Sequence, residues 1–308
     1  MTSAEDLCEQ AVGIYGKDPW KAFDLFSQAA AQGSGNAMFG MAEMKMQGIG
    51  TPRDPEGAEM LYEQAAESGH PPSMYRLGLL WTGDCDHKED PEKAVRWLKA
   101  AAEGGFPPAY PELAEALLCG YGGRADPESA FRWFKAASDC GDPVSMFHAG
   151  YMLSEGLGCG KDEASATEYF RSSAEGGVPE AMLKMAGLCF EGAVPGGASA
   201  AYEWCRAAAD TGFVPAVYRQ ATMLYQGDGV QRNLEAAYSL YRGLADAGEA
   251  DAMFMVGRMK LDGFGVEKDE EDGLRWIEKA SKSGSSMAMQ LMEDIRRRQN
   301  TQLIRIDG

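Results

Sequence analysis

The chain has 308 residues, of which 45% are hydrophobic and 25% charged, and a formal net charge of −18. That composition belongs to a folded protein rather than a disordered one, and its acidity argues against nucleic acid or an anionic membrane as the main partner, since both demand a basic surface. No stretch approaches the roughly 18 consecutive apolar residues of a membrane span, and the acidic start Thr2-Ser3-Ala4-Glu5-Asp6 has no leader character, so a cytoplasmic location is expected.

Residues 3–13 read as a degenerate helix, and Asp18-Pro19-Trp20-Lys21-Ala22 opens another. From there a glycine recurs at Gly33, Gly69, Gly105, Gly141, Gly177, Gly212, Gly248 and Gly284, in steps of 36 residues apart from one of 35. A fixed period of this size marks a repeat array, whose units bury their apolar faces only by stacking on one another.

Each unit writes two helices. In the unit beginning at Gly248 the first is expected from about Asp251 to Leu261, the second from about Asp269 to Ser283. Counting from the repeat glycine, place four is always small (Ala37, Ser73, Ala109, Ser145, Ala181, Ala216, Ala252). Place five is mostly methionine, and places eight and nine are apolar or small, as in Leu77-Gly78 and Val256-Gly257. These spacings form one helical stripe, expected to be core. Paired glycines such as Gly48/Gly50 and Gly263/Gly265 then end the first helix as turn chemistry.

The second helix opens at Asp18, Asp54, Asp90, Asp126, Asp162, Asn233 and Asp269, good N-caps for orphan backbone N–H groups, with proline at the first helical position in four cases. A small and then a bulky residue follow, as in Ala94/Trp97 and Gly273/Trp276. The turn at 192–198 departs from the pattern, with Ala198 where an N-cap is expected. The array is expected to be one all-α domain over residues 1–300, an α/α solenoid of about eight helix pairs. A capping helix at 285–298, rich in arginine, and a frayed tail at 301–308 close it.

Seven cysteines at scattered repeat places, with no CxxC pair, favour reduced thiols over a disulfide ladder. The run Gly156 to Lys161 lacks phosphate-loop spacing, and Asp84-Cys85-Asp86-His87-Lys88-Glu89-Asp90 matches neither a zinc nor a calcium loop. No cofactor, metal site or nucleophile motif is therefore expected, and His70 reads as a solvated loop residue.

The recurring A-x-x-x-L/V-G…G-x-G-V-x-x-D…A-x-x-W-x-x-x-A-A-x-x-G, sharpest in Trp97-Leu-Lys-Ala-Ala-Ala-Glu-Gly104 and Gly227-Asp-Gly-Val230, resembles the Sel1-like repeat, a relative of the tetratricopeptide repeat, over residues 18–284. Lys45 and Lys260 stand where that family often has tyrosine. The resemblance implies a right-handed α/α superhelix of helix hairpins that holds proteins together without catalysis. It also leaves an alternative, the hydrolase or β-lactam-binding activity of some disulfide-bearing bacterial members, which the scattered cysteines and the lack of a nucleophile motif disfavour.

In related arrays the first helices line the concave wall. Place seven (Arg76, His148, Lys184, Arg219), place ten (Tyr151, Arg258) and place six (Tyr75, Phe147, Tyr218, Phe254) would then form a basic and aromatic stripe on it. Such a stripe suits a protein or extended peptide with acidic residues or a free C-terminal carboxylate. The plainer reading is that place six packs on the next repeat and place seven is merely solvated; Glu43, Glu112 and Glu115 count against the stripe. Alone, the chain is expected to be monomeric, its charged C-terminal helix opposing end-to-end association.

Overall fold

The computed structural model describes residues 2–83 and 89–306, with side chains as far as Arg297. Seventeen helices and no strand are found among them, an all-α helical repeat fold. The chain divides into two compact units, Met1–Ala166 and Thr167–Gly308. The first holds α1 (Ala4–Ile14), α2 (Pro19–Ala30), α3 (Gly35–Gln47), α4 (Pro55–Glu67), α5 (Pro71–Leu80), α6 (Pro91–Glu103), α7 (Ala109–Cys119), α8 (Pro127–Asp139) and α9 (Pro143–Glu155). After α10 (Glu163–Glu175), the second holds α11 (Pro179–Phe190), α12 (Gly197–Asp210), α13 (Val214–Gln226), α14 (Leu234–Asp246), α15 (Ala250–Asp262), α16 (Glu270–Lys282) and α17 (Ser286–Ile306). Inside each unit consecutive helices pair as hairpins, and each hairpin packs on the next.

Local chemistry fixes the helix ends. Asp18, Asp54, Asp90, Asp126, Asn233 and Asp269 each accept a hydrogen bond from the N–H three residues on, and Asp162 accepts from Ser165 N at 3.0 Å. Except at Asp18, whose N–H bonds to Ile14, the cap's own N–H donates to the carbonyl nine residues earlier at the end of the first helix, as from Asp54 to Lys45 (2.9 Å) and from Asp269 to Lys260 (3.0 Å). That bond clasps the hairpin and satisfies a carbonyl the helix end would leave orphaned. In the shortened 192–198 turn the helix starts at Gly197 behind a Gly196 cap, so Ala198 lies inside α12 instead of capping it. At the other end α17 runs on to Ile306, beyond the start of the expected tail.

The small residue at place four is fully buried in all seven repeats, so adjacent helices approach closely there. In the second helices the core side chains are not Trp97, Trp133, Trp204 and Trp276 but the residues that follow them: Leu98, Phe134, Cys205 and Ile277 are all 2% exposed or less. Trp97 and Trp276 lie half-buried and seat cations, with the Arg242 and Lys279 side chains 4.6 and 4.7 Å from the Trp276 ring. The second glycine of each pair has a further role. At Gly265, in the left-handed region with φ +70°, the backbone rests against the carbonyl of Leu234, the first residue of the preceding repeat's second helix. Gly50, Gly122, Gly158 and Gly229 make the same seam with Pro19, Pro91, Pro127 and Ala198.

The two lysines that depart from the family pattern explain themselves. Lys45 Nζ lies 2.6 Å from Asp54, and Lys260 Nζ lies 2.7 Å from Asp272, each bracing its own hairpin. The hydrogen bond from Lys260 holds the Asp272 carboxyl below the ordinary carboxylate range. A carboxyl depressed in the fold stabilises it above its unfolded pKa and loses that contribution as pH falls through the folded value. Lys260→Met is therefore expected to melt below wild type at pH 6, and the gap between the two midpoints to close as the pH is lowered from 4 toward 2. A gap independent of pH would show that packing, not the ion pair, sets the difference.

Candidate partner-binding site

The row of first helices carries every residue of the sequence-derived stripe, and the two units treat them differently. In the first unit the basic side chains are already engaged. Arg76 makes a two-pronged contact with Glu43 at 2.6 and 3.2 Å, and the fully buried Tyr62 donates its hydroxyl to the same carboxylate at 2.6 Å. Burial first, then the hydrogen bond to Glu43 and its charge, push the Tyr62 phenol far above its usual range, so it stays a donor. His148 stacks on Phe134 with ring centroids 4.8 Å apart, and its Nε2 lies 4.0 Å from Glu115. Place ten of one repeat thus faces place seven of the next, and acid meets base across the joint. Tyr75 packs on Phe106 (5.4 Å) and Phe147 edges against His148 (5.8 Å), while Tyr151 stays exposed. The stripe in this unit is consequently a bracing ladder more than an open basic surface.

His70 also departs from expectation. It is half-buried, hydrogen-bonded through Nδ1 to Ser73 and through Nε2 to Asn36, both at 2.9 Å, and burial lowers its pKa. It ties two repeats together instead of lying in solvent. Cys85, Asp86 and His87, in the loop weighed for metal ligands, lie outside the described residues.

In the second unit the cations sit on rings. Lys184 Nζ is 5.6 Å from the Phe170 ring, and the Arg219 guanidinium is 5.6 Å from that of Phe190, an exposed aromatic the sequence analysis did not single out. Among the described residues neither cation is in an ion pair. Such ring contacts hold a cation in place while leaving its charge to attract a ligand. Arg258 is less free, with Asp262 at 3.8 Å. Tyr218 packs edge-on against Tyr241 with ring centroids 5.3 Å apart. Phe254, by contrast, is 6% exposed and belongs to the core cluster of this unit, so it offers no surface to a partner.

Beside Arg219 a pocket of about 360 Å³ opens between α11 and α13, lined by Leu183, Ala186, Gly187, Pro215, Tyr218 and Arg219. Gly187 makes the opening, because a Cβ there would meet nothing within 4 Å. Other repeats fill that tenth place with Glu43, Leu79, Glu115, Tyr151, Thr222 or Arg258.

Helix hairpins in a fixed period, clasped by caps and joined at glycine seams, define an α-helical repeat protein. The chain belongs to the Sel1 repeat family, whose pattern matches residues 8–34, 35–70, 71–106, 107–142, 143–178, 179–213, 214–249 and 250–285. Proteins built from these repeats are generally protein-interaction scaffolds. The fold is similar to that of a Sel1 repeat protein from Oxalobacter formigenes, at 24% identity and TM-score 0.73, covering 95% of this chain and 87% of that one. It is also similar to a protective antigen of uropathogenic Escherichia coli strains with the same repeat fold, at 24% identity and TM-score 0.51, covering 93% and 78%. No curated protein matches the chain. Among the described residues no helix is long and apolar enough to cross a membrane.

Proposed function

We propose that the chain is a non-enzymatic scaffold that binds an acidic protein segment along the first-helix face of its second unit. One observation carries this reading: Lys184 and Arg219 are held on aromatic rings with no carboxylate partner among the described residues, beside a pocket with apolar walls. Charge-assisted bonds from the two cations orient the segment, and the pocket takes an apolar side chain for affinity. Tyr218 and Arg258 border this surface. In the first unit Tyr75, Arg76, Phe147 and His148 chiefly maintain the repeat joints, which leaves Tyr151 as the exposed member there. The free thiols of Cys8, Cys119, Cys140, Cys159, Cys189 and Cys205 fit a reducing, cytoplasmic compartment. No observation favours the hydrolytic or β-lactam-binding alternative.

Random peptides displayed on phage and selected on the chain are expected to be enriched in Asp and Glu. The best of them should bind a Lys184→Glu/Arg219→Glu variant about tenfold more weakly or worse, a loss of about 1.4 kcal/mol. Both positions are exposed, so helicity and melting are expected to be unchanged. Equal affinity for the two proteins would remove this surface from the reading.

A further inference from the structure

The first unit carries a groove of opposite character. Between α1 and α3 lies a cavity of about 980 Å³. Its base is aromatic: Phe39 is half-buried and Phe26, 6% exposed, closes the bottom beneath Gly40, which stands where later repeats place larger side chains such as Arg76, Glu112, His148, Lys184, Arg219 or Met255. The ring of Phe26 lies directly beneath, about 3.0 Å from where a Cβ of Gly40 would be. Val12, 68% exposed, and Gly13 form one wall. The rim bears two carboxylates, Glu5 and Glu9, and no lysine or arginine lines the cavity. Among the described residues neither glutamate is in an ion pair.

The geometry points to a cationic amphipathic helix of a partner protein as the occupant: we infer that its apolar face lies on Val12 and Phe39 while its lysines or arginines meet Glu5 and Glu9. Three features agree. The groove follows α1 from Ala4 to Gly13, which at the helical rise is roughly 14 Å, two to three turns of a partner helix. Glu5 and Glu9 are four residues apart on one face, about 6 Å, the spacing of cations one turn apart on that helix. An apolar stripe flanked by positive charge matches an apolar floor flanked by negative charge. This site is independent of the acidic-segment surface, which lies in the other unit and has the opposite sign.

The probe is a fluorescein-labelled amphipathic peptide of lysine and leucine at helical spacing, titrated with the full chain at about 0.15 M salt. Its counterpart with glutamate for lysine is the control. The lysine peptide is expected to bind with saturation and the glutamate peptide not to bind. Glu5→Lys/Glu9→Lys should weaken binding at least about tenfold. Gly13→Leu should weaken it at least roughly fivefold while raising the melting temperature. It fills the groove, replaces a helical glycine and meets no atom within 4 Å of its Cβ. Glu63→Lys/Glu67→Lys makes the same change of charge at the same spacing on the exposed face of α4 and should leave affinity within about twofold. Lys184→Glu/Arg219→Glu should leave it unchanged too, so this inference and the preceding reading fail separately. Undiminished binding to Gly13→Leu, or equal losses in the two glutamate-pair variants, would overturn the assignment. Self-association of the wild type that Gly13→Leu abolishes would also overturn it, by giving the groove to a second copy of the chain.

Discussion

Gly265→Ala is expected to destabilise the protein by on the order of 3–5 kcal/mol, although it adds a single methyl group. Two costs combine. The residue has φ +70°, where an L side chain costs about 1–2 kcal/mol. The new Cβ would also press on the Leu234 carbonyl and come within 2.8 Å of the Glu235 nitrogen, so the first turn of α14 must move. Gly248→Ala separates the two costs. Gly248 has φ +106° but nothing within 4 Å of its would-be Cβ, so only the conformational cost of about 1–2 kcal/mol applies. Urea unfolding followed by far-ultraviolet circular dichroism compares them. Because repeat arrays do not always unfold in one step, hydrogen exchange in α13 to α16 shows whether the loss is centred on the seam. Equal losses for the two variants would mean that the seam contact contributes nothing.

Glu43→Ala is expected to cost about 2–4 kcal/mol, far more than an ordinary surface glutamate. Its carboxylate accepts from the hydroxyl of Tyr62, which is fully buried, and pairs with Arg76 on the next repeat. Removing it leaves the hydroxyl without a partner and the half-buried guanidinium without its counter-charge. Tyr62→Phe alone should cost about 1 kcal/mol. In a Glu43→Ala background the same change should cost little or even restore stability, because the orphaned hydroxyl goes with it. The double-mutant cycle should therefore give a coupling of about 1 kcal/mol or more. Strict additivity would show that the network acts as independent parts.

The features legible in the sequence were those set by local chemistry or by period. N-cap aspartates act within one turn, and their places came directly from the spacing. The small residues at place four were legible because each faces the same neighbour in each repeat. Contacts between repeats were harder to read. Whether Arg76 is available depends on Glu43, which lies in the preceding repeat, and on Tyr62, whose burial no helical wheel shows. Phe254 and Tyr218 occupy the same place, yet Phe254 shares its core cluster with Ala288 of α17, a helix only the last repeat meets. The bulky place held by Trp97, Trp133, Trp204 and Trp276 drew attention by size, while the residue one place later, buried in every repeat from Phe26 to Ile277, was the better signal for the core. Phe190 and the gap at Gly187 went unread because each is a single departure, and a periodic reading suppresses departures.

The glycine seam also has a direction. Each paired-glycine turn touches the helix start of the repeat before it, as Gly265 touches Leu234, and the two lie 265 − 234 = 31 residues apart in all five seams. During synthesis the acceptor surface therefore leaves the ribosome first and the turn that seats on it follows, roughly 2–6 seconds later at ordinary elongation rates. A nascent repeat meets a finished template instead of waiting for a distant partner. The chain can thus be assembled one hairpin at a time, in the order in which it is translated.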